Sequence, residues 1–406
     1  MHYHTIVVGA GPAGLFAAQA LGQQRKSVLI LERNQRAGRK LLVSGAGQCN
    51  FTHDGPIEDF LNCYHHQAKF LKKALFLWTN KDTMKFFEDL GVPYHIFSNQ
   101  KVFPKSMKSE DILNALIRAC QMNNVQIEYQ QTVSQISVYD GIYTIETEEG
   151  KRYFSDHVVI ATGGKSYAQL GSDGKGYELA KSLGHSVIPP RPALTDVRLK
   201  NTPYKALAGV SVQNVGLTIW RNGKKIKDYE GDLLFTHKGI SGPVIINSSR
   251  WMEQGDILMI NFLNPKAYET IRQLFATSLP HRGTEEVITF LKVFRLPKNL
   301  LQTLCEQIGL DEHTPCAQVN KQKREELVNI LTKCPFVIDH LGGFHIAMAT
   351  AGGIHLKEVN PTTMESRKQK GLYFIGEVLD VDGITGGYNL QAAFSMGYLC
   401  AQHLSR

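Results

Sequence analysis

Three glycines and one carboxylate at fixed spacing set the chemistry open to this chain. Residues 4–32 run from a β-branched stretch through Gly9, Gly11 and Gly14 into a helical pattern, then through Val28-Leu29-Ile30-Leu31 to Glu32. Strand, glycine turn, helix, strand and acidic residue is the order of a dinucleotide-binding βαβ unit. Gly9 serves the tight turn, Gly11 lets a pyrophosphate approach the backbone, and Gly14 lets the helix pack on the sheet, helped by the small Ala18. Pro12 and Ala13 open the helix, whose N–H groups and positive dipole end face the phosphates. Glu32 is placed to accept from ribose hydroxyls and to repel a 2′-phosphate, so FAD or NAD is expected rather than NADP. Arg33 follows it.

Four further stretches carry candidate chemistry. Gly38–Thr52 joins Arg39 and Lys40 to a loop containing Ser44, Gly45, Gly47 and Asn50. Such a loop can wrap backbone N–H groups around a cofactor while a basic side chain meets negative charge; a surface turn with a positive flank is the alternative. Ala161 leads into Thr162, Gly163 and Gly164, small residues where a dinucleotide crosses the end of a strand. The glycines at 171, 174 and 176 resemble a phosphate loop but lack Walker spacing. In Thr236–Pro243, His237 is either a proton donor or a histidine that caps a turn. Finally, an apolar run ends in Gly376-Glu377, followed by Asp380, Asp382 and a glycine-rich turn through Gly387 into Tyr388, Asn389 and Leu390. Glu377 can accept from a ribityl chain. The helix that starts there can aim its dipole at the flavin N1–C2 region, where negative charge grows on reduction. Asp380 and Asp382 without further matched ligands do not make a metal site, and no metal is expected.

These residues need elements to hold them. A chain of 406 residues is long for one core, so two or three domains are expected. Hydrophobic residues make up 43% and charged residues 20%, an ordinary globular balance. Strand and helix patterns alternate to about residue 190: helices near 66–90 and 108–122, strands at 125–129, 133–138 (opening on Val133, counted among the nucleotide contacts) and 142–147, and a buried strand at 158–161. Pro189, Pro190 and Pro192 read as an interdomain crossing. Strands dominate 193–264, with Asn222-Gly223 as a hairpin turn. Helices dominate 266–334, one opened by Thr284 as N-cap, another by Pro297, and an amphipathic one at 321–333. A strand at 372–375 and a final helix from about 390 to 404 restore the α/β pattern. The expected division is a discontinuous FAD-binding domain (1–190 and 346–406), a β-rich substrate-side insert (191–265 and 335–345) and a small helical insert (266–334), with a substrate cleft at the seam.

Seven scattered cysteines without a C-x-x-C pair argue for a reducing compartment, against zinc and against a disulfide framework. No apolar run reaches membrane-spanning length and no signal peptide precedes the first strand, so a cytoplasmic protein without a membrane span is expected. The net charge is +8, with 45 basic against 37 acidic residues. The densest basic stretches, Arg221–Lys227 and Lys321–Arg324, lack the aromatic interleaving of a single-strand nucleic-acid platform, so a small-molecule substrate is expected and nucleic acid is not. No oligomeric state is favoured.

In combination, the stretches resemble those of the BaiN-like bacterial flavoproteins, the group that contains aminoacetone oxidase. Ser44–Asn50, Ala161–Tyr167, Thr236–Pro243, Gly376–Asp380 and Gly386–Leu390 carry the resemblance, which spans nearly the whole chain. It implies a Rossmann-type α/β fold of the two-dinucleotide-binding flavoprotein type, with β-barrel-like and helical insertions, and FAD as cofactor. Gln48 departs from the arginine usual in that family, which puts any anion contact at that position in doubt. The resemblance admits both NAD(P)H-linked reductases of steroid-like enones and amine oxidases.

The expectation is an FAD-dependent oxidoreductase that transfers a hydride between flavin N5 and a small organic substrate. Only one dinucleotide fingerprint is visible, so NAD(P)H either docks transiently, giving a reductase, or is absent, giving an amine oxidase with O2 as acceptor. The reductase is preferred. A flavin-binding RNA-associated or sensory protein without turnover, and NAD alone in the opening site, are the other readings. His237, His345 and Tyr388 are the candidate acids or bases.

Overall fold

The computed structural model describes residues 2–200 and 204–405. They form two compact units, Met1–Ala193 with Phe344–Arg406, and Leu194–Gly343.

The first unit is built on a seven-stranded sheet. In spatial order it runs Gln126–Tyr129, Val28–Glu32, His2–Val8, Arg152–Ile160, Ile142–Thr147 and Val133–Tyr139, with Leu372–Phe374 also paired to Arg152–Ile160. The pairs around His2–Val8 are parallel, and the hairpin pairs at the far edge are antiparallel. Parallel strands need cover on both faces, which is why Ile6, Val7, Leu29, Ile30, Val158 and Val159 are all buried apolar residues. The opening helix Pro12–Gln23 and the closing helix Tyr388–Leu404 cross closely: a Cβ on Gly397 would lie 2.9 Å from the Ala13 carbonyl oxygen. The final helix starts two residues earlier than the sequence pattern indicates, at Tyr388, because Gly387 supplies the left-handed turn before it (φ +92°).

Pro189–Pro192 does not form a free crossing. It lies within the strand Val187–Ala193, paired antiparallel with Ala349–Ile354, and the register is irregular between Ile188 and Arg191, where the prolines have no N–H to give. The boundary between units comes immediately after, at Ala193. Beside this ribbon, Glu358 takes the Ser186 N–H (2.9 Å), the Ser186 hydroxyl (2.6 Å) and the Lys368 ammonium (2.8 Å). Burial alone would raise its pKa, but these donors outweigh it and hold the carboxyl at about 2, against an ordinary 4.5. A depressed folded-state pKa means that this latch stabilises fully above about pH 4.5 and is lost as pH falls through about 2. Glu358→Gln should therefore lower the urea midpoint at pH 7, with the gap to wild type narrowing on acidification below pH 4.5. A gap unchanged from pH 7 to pH 3 would refute the latch.

The second unit is a closed barrel of six strands: Val197–Leu199, Gly239–Ser241, Lys224–Thr236, Ser211–Arg221, Ile257–Asn261 and Cys334–Leu341, the last pairing back to the first. Asn222-Gly223 is the expected two-residue turn, both residues at positive φ, with Arg221 opposite Lys224. The helices Tyr268–Ser278, Val287–Leu291, Lys298–Gln307 and Lys321–Thr332 do not make a separate core. Ile271, Phe275, Leu327 and Leu331 join Val215, Leu258 and Phe336 in one apolar cluster, so the barrel and the helical insert are one unit. Thr284 is not a cap, since that helix begins at Val287 behind Glu286; Asn320 does cap Lys321–Thr332, accepting from the Lys323 N–H at 2.8 Å.

All seven cysteines are free and buried. Among the described residues no helix is long and apolar enough to cross a membrane.

Candidate FAD site

The glycines of the opening turn divide into two kinds. Gly9 has φ +107°, and a Cβ there would lie 2.7 Å from the Ala161 carbonyl oxygen. A Cβ on Gly14 would collide with the Gly9 carbonyl oxygen and press on Val7 and Ala161. Both are glycine because backbone must pack there. Gly11 is different: its backbone is extended (φ −82°, ψ 178°), and a Cβ would meet nothing within 4 Å. It faces open space at the start of Pro12–Gln23, a helix end that no side chain caps. Unsatisfied N–H groups beside a space where only glycine leaves the backbone bare make a pyrophosphate cradle.

Glu32 is buried and already engaged. One oxygen accepts from the Ala10 N–H (2.8 Å), the other from the Asn34 N–H (2.9 Å) and the Asn34 amide (2.6 Å). It braces the glycine turn as well as marking the strand end. With three of about four acceptor positions filled, it has room for one ribose hydroxyl. Arg33 pairs with Asp173 (2.5 Å); burial would raise that carboxyl, but Arg33 and the Lys175 N–H hold it below the usual range. Arg39 donates to Asn34 (2.9 Å) and so supports Glu32 rather than reaching for an anion. Val133 is buried at its strand start, two residues beyond Gln131, whose N–H donates to the Glu32 carbonyl (3.0 Å).

Lys40 likewise does not point free charge into the site. Its ammonium bridges both oxygens of Glu377 (2.7 and 3.0 Å), which also accepts the Thr350 N–H (2.8 Å). The Thr350 hydroxyl accepts from the Lys165 N–H (2.9 Å) and the Ser166 N–H (3.1 Å), and a Cβ on Gly164 would lie 2.5 Å from it. Thr350 is thus a hub that sequence reasoning missed; its only signal is the neighbouring Gly352-Gly353. Gly163 needs its positive φ of +75°. Thr162 Oγ1 and the Tyr177 hydroxyl are buried without a hydrogen-bond partner. Burial pushes the Tyr177 pKa up, and Glu377 and Asp380 push it further, which sets this hydroxyl in the field of those carboxylates. Tyr177 is a second group that the sequence pattern does not single out; it follows Gly176 directly.

The Ser44–Asn50 loop runs through left-handed backbone at Gly45, Ala46, Gly47 and Cys49. Its side chains look inward: Ser44 donates to the Leu41 carbonyl (2.7 Å), and the Asn50 amide donates to the Thr52 (2.7 Å) and Val102 (2.9 Å) carbonyls. What such a loop can offer a ligand is backbone N–H. Gln48 is exposed.

At the far end of the chain, Gly376 sits against the opening helix, a Cβ there falling 2.9 Å from the Ala13 Cβ. Asp380 accepts the Gly352 N–H (2.9 Å) and pins that strand. Asn389 closes the preceding loop by exchanging two hydrogen bonds with Gly383 (2.8 and 3.0 Å). Gly387 opens the final helix, again with no side-chain cap, and Leu390 follows half-buried in its first turn. Tyr388 is packed inside: its ring stacks on His53 (5.0 Å, 25°) and meets Phe60 edge-on, while burial and the Cys63 thiol push its pKa up. A hydroxyl so placed is a packing and hydrogen-bonding group, not a ready acid. His345 is exposed, in the segment that leads to Thr350. His237 belongs to the barrel unit, exposed on the turn between Lys224–Thr236 and Gly239–Ser241.

Two uncapped helix starts, the open face of Gly11 and two orphaned hydroxyls near Glu377 and the sheet end fit FAD. No described group of three or more His, Cys, Asp or Glu side chains is arranged for a metal ion.

The chain is 32% identical over 406 residues to a ribosomal RNA dihydrouridine synthase of Escherichia coli, covering 99% of this chain and 98% of that one. It is 33% identical to the protein of that name from Haemophilus influenzae (99% and 98% covered), and 31% identical to a 3-dehydro-bile acid delta(4,6)-reductase of Clostridium scindens (98% and 97%). Among solved structures, the fold is shared with a 3-ketosteroid-delta4-(5alpha)-dehydrogenase from Rhodococcus jostii (TM-score 0.51, 16% identity, 100% of this chain and 97% of that one). It is also shared with a flavocytochrome c3 fumarate reductase (TM-score 0.50, 15% identity, 100% and 78%). The profile of the HI0933-like protein Rossmann domain matches residues 3–403, so the chain belongs to the HI0933-like family of FAD-binding, Rossmann-fold oxidoreductases.

Proposed function

We propose that this protein is an FAD-dependent reductase of a carbon–carbon double bond conjugated to a carbonyl, with NAD(P)H as reductant and a uridine in RNA as substrate. One observation carries the reading: the named reactions of the three relatives share that chemistry. Dihydrouridine is uridine with hydrogens added across C5=C6, which is conjugated to the C4 carbonyl. The Δ4,6 bonds of a 3-dehydro bile acid are conjugated to its C3 ketone. Sequence analysis expects a small-molecule substrate and disfavours nucleic acid; two of the three names move the preference to RNA, and the +8 charge suits it. A small cyclic enone is the second reading, favoured by the bile-acid reductase.

Bound FAD would supply the redox chemistry, hydride transfer from NAD(P)H to the substrate β-carbon. The chain's task is to hold the cofactor and deliver a proton to the α-carbon. Gly11 and the opening helix N–H groups would take the pyrophosphate and Glu32 the ribose, while the Lys40–Glu377 pair with Thr350 would stiffen the wall of the site. The uncapped start of Tyr388–Leu404 would stabilise negative charge on a flavin ring bound there. With the Tyr388 hydroxyl engaged in the interior, His345 is the proton donor carried by the FAD unit itself. His345→Ala should lower turnover about a hundredfold and leave the bound-flavin spectrum unchanged. Turnover within about twofold of wild type would remove His345 from this role.

The decisive experiment has two steps. Anaerobic titration with NADH and then NADPH should bleach the flavin band. The reduced enzyme, given unmodified ribosomal RNA, should yield a nucleoside two hydrogens heavier than uridine on digestion and mass spectrometry. No bleaching at millimolar nucleotide, with peroxide released from a primary amine in air, would replace this reading by the amine oxidase.

A further inference from the structure

A small sheet beside the Ser44–Asn50 loop presents a partly exposed face that carries rings and lysines. Its strands are Thr52–His53, Lys101–Pro104 and Tyr94–Ile96, with Lys101–Pro104 in the middle and antiparallel to both neighbours. His95 lies opposite Phe103, and the Phe97 N–H donates to the Lys101 carbonyl (3.0 Å). Period-two alternation puts His95, Phe97, Lys101, Phe103 and Lys105 on one face and the buried Val102 and Pro104 on the other. The rings touch in series: His95 to Phe97 at 4.7 Å and 90°, Phe97 to Phe103 at 5.3 Å and 79°. On this face Phe97 is 39% exposed and His95 is exposed, while Phe103 is half-buried. Rings left in water at a sheet edge add little to folding and mark a binding surface.

The chain that builds this face is basic as far as the helix whose first turn holds Glu110 and Asp111. From Leu90 to Ser109 the chain has no acidic residue and carries Lys101, Lys105 and Lys108. The lysines just before, Lys81 and Lys85, pair with Asp54 and Asp89, whereas these three form no ion pair among the described residues. The ribbon is also tied to the cofactor loop: the Val102 carbonyl accepts from the Phe51 N–H (3.1 Å) and the Asn50 amide (2.9 Å). Aromatic rings interleaved with unpaired lysines are what the densest basic stretches of the sequence lack.

We infer that this ribbon is a docking platform for single-stranded RNA, with bases stacked on Phe97, His95 and Phe103 and phosphates met by Lys101, Lys105 and Lys108. The placement rests on the RNA reading above and adds where that RNA is held. A protein partner fits less well, because it would have to supply an acidic strand to an edge with lysines on its exposed face.

The test uses the flavin-loaded protein and a labelled, uridine-rich single-stranded RNA followed by fluorescence anisotropy across a salt series. Phe97→Ala should weaken binding about tenfold, and Phe97→Trp should preserve it. Lys101→Ala with Lys105→Ala should flatten the slope of log K against log salt by about 1.4, roughly 0.7 for each phosphate contact removed. Flavin content and bleaching by NAD(P)H should be unchanged in all of them, and Phe76→Ala, an exposed ring on the helix Ala68–Leu77, should bind as wild type. Wild-type affinity in Phe97→Ala, or capture of an acidic peptide in place of RNA, overturns the platform. If uridine is reduced while the variants bind normally, the platform falls and the proposed reaction stands. If the variants lose RNA as expected but no uridine is reduced, the reaction falls and the platform stands. No RNA binding by the wild type overturns both.

Discussion

Gly11→Val is expected to give a folded protein that holds no flavin. The two halves of that statement have separate causes. The fold should survive because the backbone at Gly11 is extended, a conformation valine favours, and a Cβ there meets no atom within 4 Å. Flavin should be lost because a branched side chain would fill the space from which the helix N–H groups reach a pyrophosphate. Excluding the pyrophosphate should lower FAD affinity by about three decades or more, over 4 kcal/mol. The purified variant should be colourless, with a urea transition close to that of the wild-type apoprotein. A yellow variant with stoichiometric FAD would mean that the cofactor lies elsewhere.

Gly14→Val, three residues on, should fail in the opposite way. Here the added atoms collide with the Gly9 carbonyl oxygen, which is backbone in the tightest part of the turn, and crowd Val7 and Ala161 across the sheet. No rotamer relieves a clash with a carbonyl. The opening helix would have to lift from the strands, which opens the core around Ile6, Val7 and Ile160. Overpacking of this kind, with lost burial added, should cost about 4 kcal/mol or more, a large share of the roughly 5–15 kcal/mol that stabilises a typical domain. The expected result is insoluble protein, or soluble protein without near-ultraviolet circular dichroism. A cooperative transition within about 1 kcal/mol of wild type would refute the close packing of the helix on the turn. Run together, the two variants separate a glycine that serves the ligand from one that serves the fold, although both belong to one motif.

That separation shows how far the chain could be read before folding. Spacing alone marks Gly9, Gly11, Gly14 and Glu32 as a nucleotide-binding turn, because strand, turn and helix are contiguous and their geometry is local. The Asn222-Gly223 hairpin is legible for the same reason. Pro189–Pro192 was legible only in part: proline fixes extended backbone locally, but whether an extended segment finds a partner depends on Ala349–Ile354, far away in sequence. The core shared by the barrel and its helices is hidden in the same way, since composition changes at 266 while the apolar contacts continue across it.

The basic residues make the clearest case. In the sequence, Arg39 and Lys40 flank a glycine loop and read as anion contacts. In the structure they hold Asn34 and Glu377, and Lys40 meets a carboxylate 337 positions away. Lys101, Lys105 and Lys108 draw no notice in the sequence because basic runs elsewhere are denser, yet among the described residues folding gives them no carboxylate partner.

By itself, the sequence determined the cofactor class, the α/β scaffold and the ends of the chain that build the FAD unit. Each of these depends on short-range geometry: glycine torsions, helix starts and apolar periodicity. Only the tertiary structure decided which polar groups are free to act. A charge or hydroxyl is available to a ligand when no other part of the chain has already satisfied it, and for Glu32, Lys40, Tyr388 and Thr350 that partner comes from a different element.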